Sequence, residues 1–281
     1  MKIKEILEYG KNNLIKEDAY RLSKMLLKHF LNVNNSYIVI NSEEEVNLLI
    51  EDKFKEGICL LNKGIPIQYI TNYQEFMGLD FYVDSNVLIP QPDTEILVEE
   101  VLEILKKNIG KKDVLDLCTG SGAIGISIAK NTNVFVTMSD ISNKALEVAK
   151  KNSINHKVMN QCRFVLSNMF DNIIEKYDVI VSNPPYIETS IIKTLDQEVQ
   201  NEPHLALDGG EDGLDFYKII AENAYKYLNN DGVLALEIGY DQKDKVINIL
   251  KQTKKYTEIY SKKDLGGNNR IIRCRKLKNM I

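Results

Sequence analysis

The chain has 281 residues, 44% hydrophobic and 27% charged, the proportions of an ordinary folded protein of one large or two modest domains. A formal net charge of -4 excludes a global basic field that would draw in nucleic acid. Four cysteines (Cys59, Cys118, Cys162, Cys274) without a CxxC pair and three scattered histidines (His29, His156, His204) offer no zinc-ligand spacing and no disulfide framework, so no metal is expected.

The chain opens MKIKEILEYGKNN, charged throughout and without the apolar stretch of a signal peptide. No apolar run approaches the ~18 residues of a membrane span, so a cytoplasmic protein that binds no membrane is expected. Residues 1 to 72 read as a small helical domain. In EDAYRLSKMLLKHFL the apolar residues Ala19, Leu22, Met25, Leu26 and Phe30 recur at three- and four-residue steps, the mark of one buried helix face. A second helix is expected from NSEEEVNLLIEDKF, with Ser42 and Glu45 as a capping box and Val46, Leu49, Ile50 and Phe54 on its apolar face. Residues 73–92 alternate in character and predict short strands with a turn at DSN, a β-hairpin linker before the catalytic part.

From residue 93 to 281 strands and helices alternate. The strands are DVLDL, VFVTMSD, CRFVLS, DVIVS and GVLALEIG, with amphipathic segments between them, and YTEIYS and RIIRCRK close the chain as a hairpin. This is an α/β pattern: a mostly parallel sheet covered on both faces, whose ligands sit at the carboxyl ends of the strands.

The first of these strands runs into VLDLCTGSGAIG. Gly120, Gly122 and Gly125 match G-x-G-x-x-G, and Asp140 closes the next strand. Glycines let the backbone approach a ligand closely, and an acidic residue at that second position hydrogen-bonds ribose hydroxyls. The fingerprint alone serves NAD or S-adenosylmethionine. Asp116, inside the end of the first strand, suits a cationic cofactor end and would repel a pyrophosphate; the strand-end loops offer no histidine for hydride chemistry. S-adenosylmethionine is therefore the expected cofactor.

A later strand runs into SNPPYIE. Consecutive prolines lack backbone donors and fix φ, so the chain is stiff where Asn183 and Tyr186 emerge. The Asn183 side-chain oxygen and the Pro184 carbonyl are two acceptors that can converge on one –NH2 group, and the Tyr186 ring offers a face for a planar group. The expected chemistry is methylation of a planar amine, with the kind of amine left open.

These segments, together with PIQYITNYQEFMGLDFYVDSNVLIPQPDTEILVE, EPHLALDGGEDGLDFYKII and DLGGNNRIIRCR, resemble the release factor glutamine methyltransferase family over essentially the whole chain. The resemblance implies a Rossmann-like seven-stranded methyltransferase sheet with a C-terminal antiparallel hairpin and an N-terminal helical bundle that recognises substrate. It implies transfer of a methyl group from S-adenosylmethionine to the side-chain amide nitrogen of the glutamine in the Gly-Gly-Gln motif of class 1 peptide chain release factors, by a monomer and without direct nucleic-acid contact. The N-terminal 75 residues, with ten Lys or Arg against eleven Asp or Glu, lack the basic field of a nucleic-acid amino-group methyltransferase, the alternative reading.

By resemblance the cofactor residues are Asp116, Cys118, Thr119, Gly120, Ser121, Gly122, Asp140, Asn168, Met169 and Asn183. The catalytic and substrate residues are Asn183, Pro184, Pro185 and Tyr186, with Glu202 in a segment expected near the substrate. The chain departs from the family pattern at three places: Asn168 for an acidic residue, Gln91 for an arginine in PQPDTE, and Cys118 for a glycine, a substitution expected to be harmless at ordinary φ.

Overall fold

In the computed structural model, which describes residues 1–107 and 112–278, the chain divides into two units. One comprises Met1–Tyr73 with Asp196–Asn201, the other Gln74–Leu195 with Glu202–Ile281. Residues 108–111 and 279–281 of the expected catalytic segment lie outside the described residues.

The first unit is helical: α1 (Ile3–Asn13), α2 (Ala19–Leu31), α3 (Asn35–Ile40), α4 (Leu48–Asn62) and α5 (Ile67–Thr71). Its core joins Ile3, Ile6 and Leu7 of α1 to Leu22, Leu26 and Leu27 of α2 and to Phe54, Ile58 and Leu61 of α4. Side chains of this size contribute about 1.5–3 kcal/mol each when fully buried. On α2 the buried stripe runs through Leu27, while Met25 is turned outward. The second expected helix starts later than its capping-box signal suggested. Asn47, not Ser42, caps α4 by accepting the Leu49 N–H at 2.8 Å. The preceding glutamates are bound elsewhere, Glu43 to Lys2 and Lys4 and Glu44 to the Tyr37 hydroxyl. Leu49 is consequently exposed instead of lying on the apolar face.

The second unit begins with β1 (Gln74–Phe76) and β2 (Leu79–Phe81), paired antiparallel. Their turn is Met77-Gly78, both residues at positive φ (54° and 70°), which suits a two-residue hairpin. The DSN segment also turns, with Asp84 Oδ1 accepting the Asn86 N–H at 2.9 Å, but Val87 and Ile89 beyond it are buried in irregular chain and not in a strand. A 3-10 turn at Pro92–Thr94 leads into α6 (Glu95–Lys107).

The main sheet then follows: β3 (Asp113–Leu117), α7 (Ala123–Asn131), β4 (Phe135–Asp140), α8 (Asn143–Asn155), β5 (Cys162–Leu166) and β6 (Tyr177–Ser182). A long connection carries three one-turn helices, α9 (Thr189–Ile192), α10 (Gln197–Gln200) and α11 (His204–Leu207). It is followed by α12 (Asp215–Tyr227), β7 (Leu228–Glu237), α13 (Lys243–Thr253), β8 (Tyr256–Lys263) and β9 (Asn269–Lys276). The seven strands lie in the order β5-β4-β3-β6-β7-β9-β8, the first five parallel and β9 antiparallel to both its neighbours.

The two-residue period of the strands builds two cores. Val114, Val179, Val181, Val233 and Ile271 face one side, with α6 and α7. Leu115, Ile180, Leu234 and Ile272 face the other, with α12 and α13. Chain order reverses between β3 and β6, which are hydrogen-bonded neighbours, and a crevice opens outside the carboxyl ends of strands at such a point.

Candidate active site

The crevice is a cavity whose wall includes Cys118, Thr119, Gly120 and Ser121 from the loop after β3, Asp140 at the end of β4, Asn168 and Met169 after β5, and Asn183 and Pro185 after β6. These expected residues, distant in sequence, line one cavity. Five other expected residues stand behind the wall: Asp116, Gly122, Pro184, Tyr186 and Glu202 are not among its lining residues.

The glycine loop takes its shape from backbone conformation and two carboxylates. Gly120 and Gly122 sit at φ +54° and +81°. A Cβ on Gly120 would meet nothing within 4 Å, so this backbone faces open space, whereas one on Gly122 would strike Ile126 at 2.8 Å. Asp140 holds the loop to the end of β4: Oδ2 accepts the Gly120 N–H and Oδ1 the Ser142 N–H, each at 2.9 Å. Burial raises its pKa and these backbone donors oppose the rise.

Asp116 lies beneath the loop. Its Oδ2 accepts the Thr119 hydroxyl at 2.6 Å and the Gly125 N–H at 2.9 Å, while Oδ1 is buried with no partner among the described residues. A direct salt bridge to a cavity ligand is thus not how Asp116 is placed; it pins the loop from below, and its free oxygen is the only part left for a bridged contact. Burial pushes this carboxyl up to about 7.

Because that value lies above the unfolded value of 3.8, the associated stability is fully present below 3.8 and is lost as pH rises through about 7. In urea unfolding of the ligand-free protein the Asp116 contribution is expected to fall over this window by up to roughly 4 kcal/mol, read as the difference in slope between the parent and Asp116→Asn. Asp116→Asn, whose oxygen can keep both accepted bonds, should flatten the fall; an unaltered slope would assign it to other groups.

Cys118 is the clearest departure from expectation. Its φ is +62°, in the left-handed region, so the position is one that favours glycine and the substitution is not neutral. Its Sγ lies 3.9 Å from the Met169 Sδ, and burial pushes the thiol well up, which leaves it uncharged and packed. Cys118→Gly is expected to raise the unfolding free energy by up to ~1 kcal/mol, the strain relief exceeding the added unfolded-state entropy. Urea denaturation reads this directly, and a loss of stability would mean that the sulfur contact outweighs the strain.

Met169, also at positive φ (48°), is buried between the cavity and the second core, its carbonyl accepting the Ser167 hydroxyl at 2.8 Å. Asn168 is exposed at the rim. Both fit the flank of a planar base, with Ile141 on the same wall.

At the end of β6, Asn183 donates from Nδ2 to the Thr94 hydroxyl at 3.4 Å, and its Oδ1 makes no hydrogen bond among the described residues. Tyr186 is turned away from the cavity: its hydroxyl donates to Glu237 Oε1 at 3.4 Å and its carbonyl accepts from Gln242 Nε2 at 2.8 Å. A role as an exposed stacking face is therefore not what this arrangement offers. Glu202 is likewise structural here, its Oε2 accepting the Ile89 N–H at 2.8 Å, and it is the next residues, Pro203, Leu205 and Ala206, that reach the cavity.

Sequence reasoning missed Thr94, Glu237 and Arg270. Thr94 lies in the PQPDTE segment, three residues after Gln91, the departure from the family pattern there. A cation is present nearby after all: Arg270 pairs with Asp93 at 2.9 Å and with Asp264 at 3.2 Å. Glu237 ends a buried strand, as Asp140 does and as Asp116 nearly does, and that shared signal could have found it. Burial pushes its carboxyl up to about 7, with the Thr94 hydroxyl and Arg270 pulling it down.

A sheet of this order with its ligand cavity outside β3, β4 and β6 is that of a methyltransferase. Residues 92–264 match the family model of the methyltransferase small domain, and residues 5–71 that of the PrmC N-terminal domain. A methyltransferase from Pyrococcus furiosus, 21% identical, shares the fold with a TM-score of 0.52 over 72% of this chain and 90% of that one. The release factor glutamine methyltransferase of Clostridium acetobutylicum is 43% identical over 255 residues, 89% of each chain. That of Clostridium botulinum is 38% identical over 98% of this chain and 100% of its own. The chain belongs to the release factor glutamine methyltransferase family. Among the described residues no helix is long and apolar enough to cross a membrane.

Proposed function

We propose that this protein methylates the side-chain amide nitrogen of the glutamine in the Gly-Gly-Gln motif of class 1 peptide chain release factors, with S-adenosylmethionine as methyl donor. The observation that carries the reading is Asn183, in a chain of this family: a side-chain amide on the cavity wall whose nitrogen is committed to Thr94 and whose oxygen is left over. When bound, the donor would supply a methyl group from a positively charged sulfur and leave as neutral S-adenosylhomocysteine, the amide nitrogen giving one proton to solvent.

The protein's part is placement. The backbone of Gly120 and the carboxylate of Asp140 suit ribose hydroxyls and the approach of a nucleoside; Ile141 and Met169 suit its base. The unpaired Asp116 Oδ1 suits an ammonium reached through water. On this reading Asn183 Oδ1, on the cavity wall, accepts one N–H of a primary amide, and the carbonyl of Pro184, between the lining residues Asn183 and Pro185, accepts the other. An amide nitrogen is a weak nucleophile because its lone pair is delocalised. Holding both hydrogens fixes its direction of attack and stabilises the positive charge it gains. Pro184 and Pro185 keep both acceptors in place.

The experiment is transfer of labelled methyl from S-adenosylmethionine to a purified class 1 release factor, beside the same factor with its Gly-Gly-Gln glutamine changed, and beside RNA and DNA. Label on the intact factor alone is the expected result. Label on nucleic acid would overturn the substrate while leaving the donor and the amine clamp standing.

A further inference from the structure

Behind the Asn183 clamp lies a polar cluster that the reaction as described does not use. Thr94, in the 3-10 turn before α6, is buried and on the cavity wall. Its Oγ1 is the acceptor for Asn183 Nδ2. Glu237, at the carboxyl end of β7, is 2% exposed. Its Oε1 accepts the Tyr186 hydroxyl, and its Oε2 has no partner at hydrogen-bonding geometry among the described residues, although the Thr94 hydroxyl is near enough to stabilise the charged form. Tyr186 is thus bonded directly to this buried carboxyl, and Asn183 is bonded to the Thr94 hydroxyl beside it.

The direction of these bonds carries the argument. A hydroxyl donates one hydrogen and accepts on its remaining lone pairs. A carboxylate only accepts. If Thr94 gives its hydrogen to Glu237, its oxygen can only accept, and the neighbouring amide must present its –NH2 to it. The amide oxygen of Asn183 then points the other way, into the cavity. Without the carboxyl, Thr94 could donate to the Asn183 oxygen, and the flipped amide would offer the substrate a donor where an acceptor is needed.

We propose that Thr94 and Glu237 are positioning residues that set the amide orientation of Asn183, with the Thr94 hydroxyl donating to Glu237 Oε2 and accepting from Asn183 Nδ2. Arg270, bound to Asp93 and Asp264, favours the charged, accepting form of Glu237 against the burial that raises its pKa. Tyr217 fixes the same strand end, its hydroxyl donating to the Glu237 carbonyl at 3.0 Å. The inference rests on the reading of Asn183 as the substrate acceptor.

The test uses the full chain, S-adenosylmethionine and a class 1 release factor, with kcat, KM for the factor and the cofactor dissociation constant measured for each variant. Thr94→Val keeps the shape and removes the hydroxyl. It is expected to lower kcat by roughly tenfold or more while the cofactor dissociation constant stays within about twofold. Thr94→Ser, which restores the hydroxyl, should recover most of that loss. Glu237→Gln, similar in volume but able to donate, should also lower kcat, and this variant serves if Thr94→Val does not fold. Adding Thr94→Val to Asn183→Ala should cost no more than about a further twofold, because the hydroxyl acts through the amide. Full activity in Thr94→Val or Glu237→Gln, or independent losses in the double variant, would overturn the proposal. Activity retained in Asn183→Ala would instead overturn the amine clamp itself, a separate result.

Discussion

Asn183→Ala is expected to reduce methyl transfer by about 10²-fold or more while leaving the fold and cofactor affinity near those of the parent. The side chain is only partly buried and donates a single long hydrogen bond, to Thr94 at 3.4 Å, so its removal costs the folded protein little. What it removes is an acceptor on the cavity wall. The substrate amide, already taken out of water, would keep one N–H without a partner, at roughly 1–3 kcal/mol, and would lose the fixed direction of its lone pair as well. Both losses grow toward the transition state, where the nitrogen becomes positive, so the effect belongs in kcat more than in KM. Single-turnover transfer of label, beside calorimetric titration of the cofactor, separates the two. Near-normal turnover would mean that the amine is held by other groups.

Asp140→Ala is expected to weaken cofactor binding by on the order of 10²-fold, about 2.7 kcal/mol. Two effects add. The carboxylate is an acceptor on the cavity wall at the end of β4, the place where ribose hydroxyls are held in folds of this kind. It also clamps the glycine loop through Gly120 and the next turn through Ser142, and bonds to a charged acceptor contribute roughly 1.5–3 kcal/mol each. Asp140→Asn keeps one acceptor oxygen but places an –NH2 against a backbone N–H, so it should fall between alanine and the parent. Calorimetry gives the dissociation constants, and an unchanged value in Asp140→Ala would mean the nucleoside is held elsewhere. Hydrogen exchange at the Gly120 amide tells the loop contribution from the ligand contribution, since only the former alters the free protein.

Much of the chain was legible because its signals are local. DVLDL, VFVTMSD and DVIVS are buried strands whose alternate residues enter opposite cores, and their lengths match the observed elements to within a residue or so. The glycine loop and Asn-Pro-Pro-Tyr segment were readable for the same reason: φ preferences and missing donors are properties of single residues. The one-turn helices α9, α10 and α11 were not foreseen. Four residues are too few to stabilise a helix by themselves, and such turns form where tertiary contacts hold them. The start of α4 differs from the expectation because Ser42 and Glu45 have the spacing of a capping box, while their backbone pairs with the start of α1 instead, Glu45 bridging Lys2 and the Ser42 carbonyl accepting the Lys4 N–H.

By itself, the sequence determined the alternation of the main strands and helices, the glycine loop after β3, and the stiff Asn-Pro-Pro-Tyr segment at the end of β6. Only the tertiary structure decided which of those residues reach the cavity. It turned Tyr186 inward to Glu237 and put Asp116 under the loop instead of on the cavity wall. It left Cys118 in a left-handed conformation, and it brought Thr94 against Asn183, 89 positions away. The physical reason is that period and propensity specify which face of an element is buried. The partner of a buried polar group depends on which strand ends are neighbours, and here that follows from the reversal of chain order between β3 and β6 and the placement of β7 beside them.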